Sequence, residues 1–216
     1  MQELREGTSL SLVLDFLKKA ESYLQRFSSN PNLLVTTYSN MANANRTRGN
    51  LDASVRCAEK ALQIAKGTTD MEGDSLPCAH LTMCCILSQM ANHEEALEHA
   101  QQAVSQCLEF LIPIRKGPVP LNAKDHGEQL VTLCIAYHNV GVQFEFLTRY
   151  SDAIPWYERA VDTSIKYLPA KEDMISSFSA SLQAAEAAVR RKEKNEAATM
   201  VRLNANSFSY RDQVAH

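Results

Sequence analysis

From Ser9 to Phe27 the apolar residues Leu12, Phe16, Leu17, Ala20, Tyr23 and Leu24 fall on one stripe of a helix. Further helical runs follow over Asn32 to Arg46, Leu76 to Met90 and Gln129 to Leu147. Each is succeeded by a segment with a polar start and small or aromatic residues at helical spacing: Gly49 to Ala61, Asn92 to Ala103 and Tyr150 to Ala160. Ala96, Ala100 and Ala103 share a face at i, i+4, i+7, as do Ala153, Tyr157 and Ala160. A last, alanine-rich run from Glu172 to Met200 carries Phe178, Leu182, Ala185 and Val189 as its seam. Every predicted element is a helix.

The elements repeat. Taking Ala61, Ala103 and Ala160 as one position, the spacings are 42 and then 57 residues. Ala42, Cys84 and Gly141 are the small residues at equivalent places in the preceding runs. The extra residues of the longer spacing sit in Ile112 to Asn122, where three prolines and a glycine predict an inserted loop over 111–125. Asn30-Pro31 reads as an N-cap with proline at the first helical position. Asn92 with Glu95, and Asp125 with Glu128, have capping-box spacing, and Pro155 falls in a first turn if Ser151 is the cap. The predicted organisation is a capping helix over 1–30, three helix pairs over about 31–68, 74–110 and 126–168, a second capping helix over 169–203, and a frayed tail over 204–216.

The third unit resembles a tetratricopeptide repeat. It reads Tyr137-x2-Val140-Gly141-x2-Phe144, then Ala153-x3-Tyr157-x2-Ala160, with Tyr150 in the aromatic turn position. The first unit keeps Tyr38, Met41, Ala42, Gly49 and Ala61 but has Ser54 in place of alanine, and the second keeps Ala96, Ala100 and Ala103. Repeats of this length are similar to those of kinesin light chains and of ciliary or spindle adaptors. The resemblance implies an all-α fold, a right-handed superhelix of antiparallel helix pairs. Gly141 or Ala42 would pack against Ala153 or Ser54, with Tyr157-type aromatics filling the gap to the next unit. It also implies a concave groove lined by first helices, and there the groove-facing places hold Ser39, Asn43 and Arg46, then Leu81, Cys85 and Gln89, then His138, Val142 and Glu145. Co-chaperones of the family that grip a C-terminal carboxylate use cations here. This chain matches only Asn43 and presents Thr82, Ile135 and Asn139 instead, so the groove reads as neutral and partly apolar, suited to an extended segment or helix held by apolar contact and amide hydrogen bonds.

Composition adds mostly exclusions. The 216 residues carry a formal charge of −3, which gives no general drive toward nucleic acid or anionic membrane. The apolar stretches are too broken to span a bilayer and the N-terminus does not read as a secretory signal. Six cysteines in helix-patterned runs, Cys57, Cys78, Cys84, Cys85, Cys107 and Cys134, are expected to be reduced core residues. His80 and Cys84 share a helix face, and His93-Glu94 precedes His99, but neither set completes a zinc signature, so no metal or other cofactor is expected. No phosphate-cradling glycine loop or nucleophile elbow is spelled out. Arg190 to Lys194 is read as a solvated helix face. The expectation is a non-enzymatic adaptor for a protein partner in a larger assembly, cytoplasmic, with a microtubule-associated or ciliary complex as the finer reading. The alternative is a structural component of a cytoskeletal or axonemal complex, held through its outer faces.

Overall fold

A computed structural model describes the backbone of residues 2–28, 30–68, 74–116 and 121–214, with side chains over 9–28, 30–68, 74–116 and 121–200. The described residues form eight helices: α1 (Gln2–Phe27), α2 (Pro31–Thr47), α3 (Leu51–Lys66), α4 (Ser75–Gln89), α5 (His93–Lys116), α6 (Ala123–Phe146), α7 (Tyr150–Tyr167) and α8 (Glu172–Val214). Turns of a few residues fold α2 on α3, α4 on α5 and α6 on α7 as antiparallel pairs. Successive pairs stack, α3 on α4 and α5 on α6, and the first helices α2, α4 and α6 lie side by side. The result is a tetratricopeptide-like solenoid. α1 packs on α2 and α8 packs on α7, so α1 sits where a second helix would precede the array, and α8 where a first helix would follow it.

Each pair turns through one left-handed residue: Gly49 (φ 76°), Ala91 (φ 60°) and Thr148 (φ 59°). Their spacings are those of Ala61, Ala103 and Ala160. In each turn the next amide reaches back over the helix end, from Asn50 to the Asn45 carbonyl, Asn92 to Leu87 and Arg149 to Phe144. This satisfies carbonyls that the helix leaves unpaired. Only the first unit supplies the glycine that the conformation favours.

The helices approach closely because their facing residues are small. Ala42, Ala58, Ala61, Cys84, Ala96, Ala100, Ala103, Ala153 and Ala160 are wholly buried. Ser54, in an alanine position, donates its hydroxyl to the Ala42 carbonyl at 2.7 Å, so the departure costs no unsatisfied group. Gly141, for which the repeat pattern implied Ala153 as neighbour, has the Tyr157 ring of its own pair nearest to it, and a Cβ there would lie 2.6 Å from that ring.

Several boundaries differ from the sequence reading. α5 continues to Lys116 through Pro113, because a proline near a helix C-terminus removes only one intrahelical donor. The expected loop 111–125 is therefore helical over 111–116 and again from Ala123; residues 117–120 lie outside the described residues. The cap of α6 is Asn122, whose side chain accepts from the amides of Lys124 and Asp125, while the expected Asp125–Glu128 box lies past this cap. A kink follows at His126 (φ −130°). α7 starts after Arg149, which puts Pro155 inside the helix, beyond its first turn. The backbone of α8 continues as helix to Val214, through the segment expected to fray.

The apolar stripe of α1 is largely uncovered. Only Leu14 is buried, with Leu17 packed beside the core, whereas Leu12, Phe16 and Tyr23 stand outward. α1 rests on the array chiefly through α2, with a Glu21–Lys60 ion pair at 3.9 Å reaching α3, and its opposite side is left uncovered.

Candidate partner-binding groove

The first helices α2, α4 and α6 bound a cleft of about 530 Å³ on the concave side of the array. Ser39 and Asn43 on α2 and Leu81 on α4 line it, three of the nine residues expected to face the groove. The cleft is set further toward the N-terminal ends of these helices than the counting placed it, taking in Thr36 and Asn40, Thr82, and Thr132 and Ile135 on α6. Thr82 and Ile135 were legible as neutral groove positions. Thr36, Asn40 and Thr132 were missed, because one helical turn of register cannot be fixed without the neighbouring helix.

The chemistry of the cleft is amide and hydroxyl over an apolar floor. Thr82 donates to the Cys78 carbonyl at 2.9 Å, so its hydroxyl is satisfied within α4. Ser39 is buried, and its hydroxyl has no hydrogen-bond partner among the described residues. The charged residues of the lining are Asp74 and Glu128, both acidic. No lysine or arginine lines it, in keeping with a groove unsuited to gripping a free carboxylate.

Arg46, Cys85 and Gln89 lie further along α2 and α4. The Arg46 guanidinium donates to the Gln89 side-chain carbonyl at 3.3 Å and bridges the first two units. Burial pushes the Cys85 thiol up, against the opposing pull of Arg46, so it stays protonated at neutral pH. Burial likewise raises Cys84 and Cys134 to about 12. All six cysteines are free thiols. None of these three is poised as a nucleophile.

The third unit's predicted trio does not join the cleft. His138 is covered by α8: its Nε2 lies 3.0 Å from the Ser181 hydroxyl, and its ring stacks on Phe178 at 4.7 Å. Burial holds its pKa down at about 4, so it is neutral at neutral pH. Glu145 accepts the Tyr157 hydroxyl at 2.6 Å, and this bond, after burial, raises the tyrosine's pKa. Val142 is half-buried between them. These side chains fasten α6 to α7 and α8, a role invisible to a count of groove positions.

The expected soft-ligand cluster resolves differently too. His80 Nδ1 lies 3.0 Å from His99 Nδ1, bridging α4 and α5. Burial, with the His99 charge second, lowers the His80 pKa to about 4. Among the described residues no three His, Cys, Asp or Glu side chains converge as a metal site, and no helix is long and apolar enough to cross a membrane.

A family model described as tetratricopeptide repeat matches residues 33–109. No curated protein matches the chain. Among solved structures, a Podosopora anserina protein described as a kinesin light chain with nearly identical TPR-like repeats superposes with a TM-score of 0.63 at 15% identity, over 93% of this chain and 89% of that one. BtubC (BKLC) from P. vanneervenii gives 0.57 at 21% identity, over 92% and 76%. Aspartyl phosphate phosphatase F from Bacillus subtilis gives 0.57 at 21% identity, over 89% of this chain and 48% of that one. At these identities the likeness is one of fold.

Proposed function

We propose that this chain, whose residues 33–109 match a family model described as tetratricopeptide repeat, is a non-enzymatic scaffold of that family that holds a protein partner in its concave groove. The fold is one suited to protein–protein interaction, because stacked helix pairs expose a continuous inner surface. The observation that carries the reading is the cleft between α2, α4 and α6, with hydroxyls and amides around a buried, unpartnered Ser39 hydroxyl. A buried hydroxyl without a partner loses the hydrogen bond that water would give it, and a bound peptide amide restores that bond. The occupant it suits is an extended segment or helix of neutral or basic character, held by amide hydrogen bonds and apolar contact. The cytoskeletal association of the reading rests on the fold neighbours described as kinesin-light-chain-like.

Photocrosslinkers at Asn40 and Asn43, compared with one at Glu158 on the exposed side of α7, test the site in native extract. One shared crosslinked partner at the two groove positions, absent at Glu158 and lost in the Ile135→Arg variant, is the expected result. Equal capture at Glu158, or capture that survives Ile135→Arg, would place the interaction on outer faces and make the chain a structural component held from outside.

A further inference from the structure

Among the described residues the three helix pairs are flanked by two half-pairs whose uncovered faces are complementary in size. Inside the array each second helix buries a stripe of common spacing: Ala96, Ala100, Cys107 and Leu111 along α5, and Ala153, Tyr157, Ser164 and Leu168 along α7. α1, in the place of a second helix, repeats that spacing with Leu12, Phe16, Tyr23 and Phe27. These four are 57%, 60%, 64% and 71% exposed, and no helix among the described residues covers them. Lys19 lies over the Phe16 ring at 5.5 Å, and the four apolar side chains around it form an exposed stripe of the kind that marks an interaction surface.

α8 is the converse. Its Phe178 and Ala185 are buried, seven residues apart like Cys134 and Gly141 on α6. The exposed side of the same stretch carries Ser177, Ala180 and Ala184, where only small side chains separate an incoming helix from the backbone. Within the third pair Gly141 makes room for Tyr157. On α8 the position equivalent to Gly141 is the buried Ala185, and its exposed neighbour Ala184 offers the room for Phe16. In an antiparallel register with Phe16 opposite Ala184, Tyr23 falls opposite Ser177, seven residues on in one helix and seven back in the other. The same register sets Arg26, in the basic last turn of α1, beside Asp173 and Glu172 in the acidic first turn of α8. Charges and helix dipoles are then both complementary.

We propose that α1 of one copy docks antiparallel on α8 of a second copy, completing a helix pair across the contact, so that the partner of these two faces is this chain itself, joined head to tail. The two surfaces are different, so the contact is heterologous and extends beyond two copies instead of closing as a two-fold dimer. It uses neither Asn43 nor Ile135, and it stands or falls separately from the groove.

Sedimentation velocity on the full chain, from about 1 to about 100 µM, reads the outcome. Average mass is expected to rise above one chain with concentration. Phe16→Glu with Tyr23→Glu, and separately Ala180→Glu with Ala184→Glu, should each weaken association at least about tenfold. Both sets lie on exposed faces, so the thermal melt read by circular dichroism at a concentration where the chain is monomeric should stay in place and show that loss of association is not loss of fold. An equimolar mixture of the two variants retains one intact face of each kind and should form dimers and nothing larger. A single-copy mass at every concentration overturns the proposal and assigns the α1 face to a chain of other sequence. Association abolished by the α1 variant, untouched by the α8 variant and not rescued by mixing overturns it in favour of a symmetric α1–α1 contact.

Discussion

At the scale of single residues, the turns and the tightest packing site make opposite predictions for glycine. Ala91 and Thr148 hold φ near 60°, where an L side chain crowds the following carbonyl. Ala91→Gly and Thr148→Gly should each stabilise the fold by up to about 1 kcal/mol, with the β-branched threonine gaining more, read as a rise in urea midpoint at constant slope. Gly141→Ala goes the other way. Alanine favours a helix by about 1 kcal/mol, but its Cβ would sit 2.6 Å from the Tyr157 ring. That ring cannot retreat, since it is wholly buried and its hydroxyl is held by Glu145. The clash should dominate, for a net loss of about 2 kcal/mol seen in the same denaturation experiment. The repeat grammar identified Gly141 as a close-approach residue. It did not pick out Tyr157 as the ring lying nearest, since that depends on the offset between two helices and not on either sequence.

At the scale of elements, the question is what keeps each end of the array closed. α8 covers the third pair chiefly through Phe178, buried and stacked on His138, with Ala185 buried about two helical turns further on. Phe178→Ala removes that stacking and opens a cavity, and should cost about 3 kcal/mol. A melting temperature lowered by less than a degree would mean that α8 is not a structural cap. The seam of α8 was readable because the pattern Phe178, Leu182, Ala185, Val189 has one helical solution. The stripe of α1 was equally regular, yet it faces outward. Periodicity reports that a helix has an apolar side and says nothing of whether another helix is there to cover it. Proline misled for a related reason. Pro113 and Pro155 each remove a single donor, and neighbouring turns and packing carry the helix past them.

For the whole molecule, buried histidines couple stability to pH. His80 and His138 both have folded pKa values near 4, against an ordinary 6.5, because burial disfavours the charged ring; His99 shifts in the same direction for the same first cause. Between those values the unfolded chain binds more protons than the native one, so stability is complete above about 6.5 and declines as pH falls toward 4. Urea midpoints measured down this range should fall, and the slope should flatten in a His80→Gln, His138→Gln double variant; an unchanged slope would show that these rings are not kept neutral by the fold. The helical content, the pairing of helices and the repeat spacing were legible in the chain alone, because each follows from local pattern: apolar residues three or four apart, small residues where backbones meet, polar starts between. The lack of clamp cations on the first helices was legible too, but Asp74 and Glu128, the acidic residues at the cleft, were missed. Tertiary structure alone decided that His138 and Glu145 brace α7 and α8 while Ser39, Asn43 and Leu81 line the cleft, and that α1 presents an apolar face to solvent. Those outcomes depend on the offset and curvature with which whole helices stack, and local spacing does not encode how one helix lies against the next.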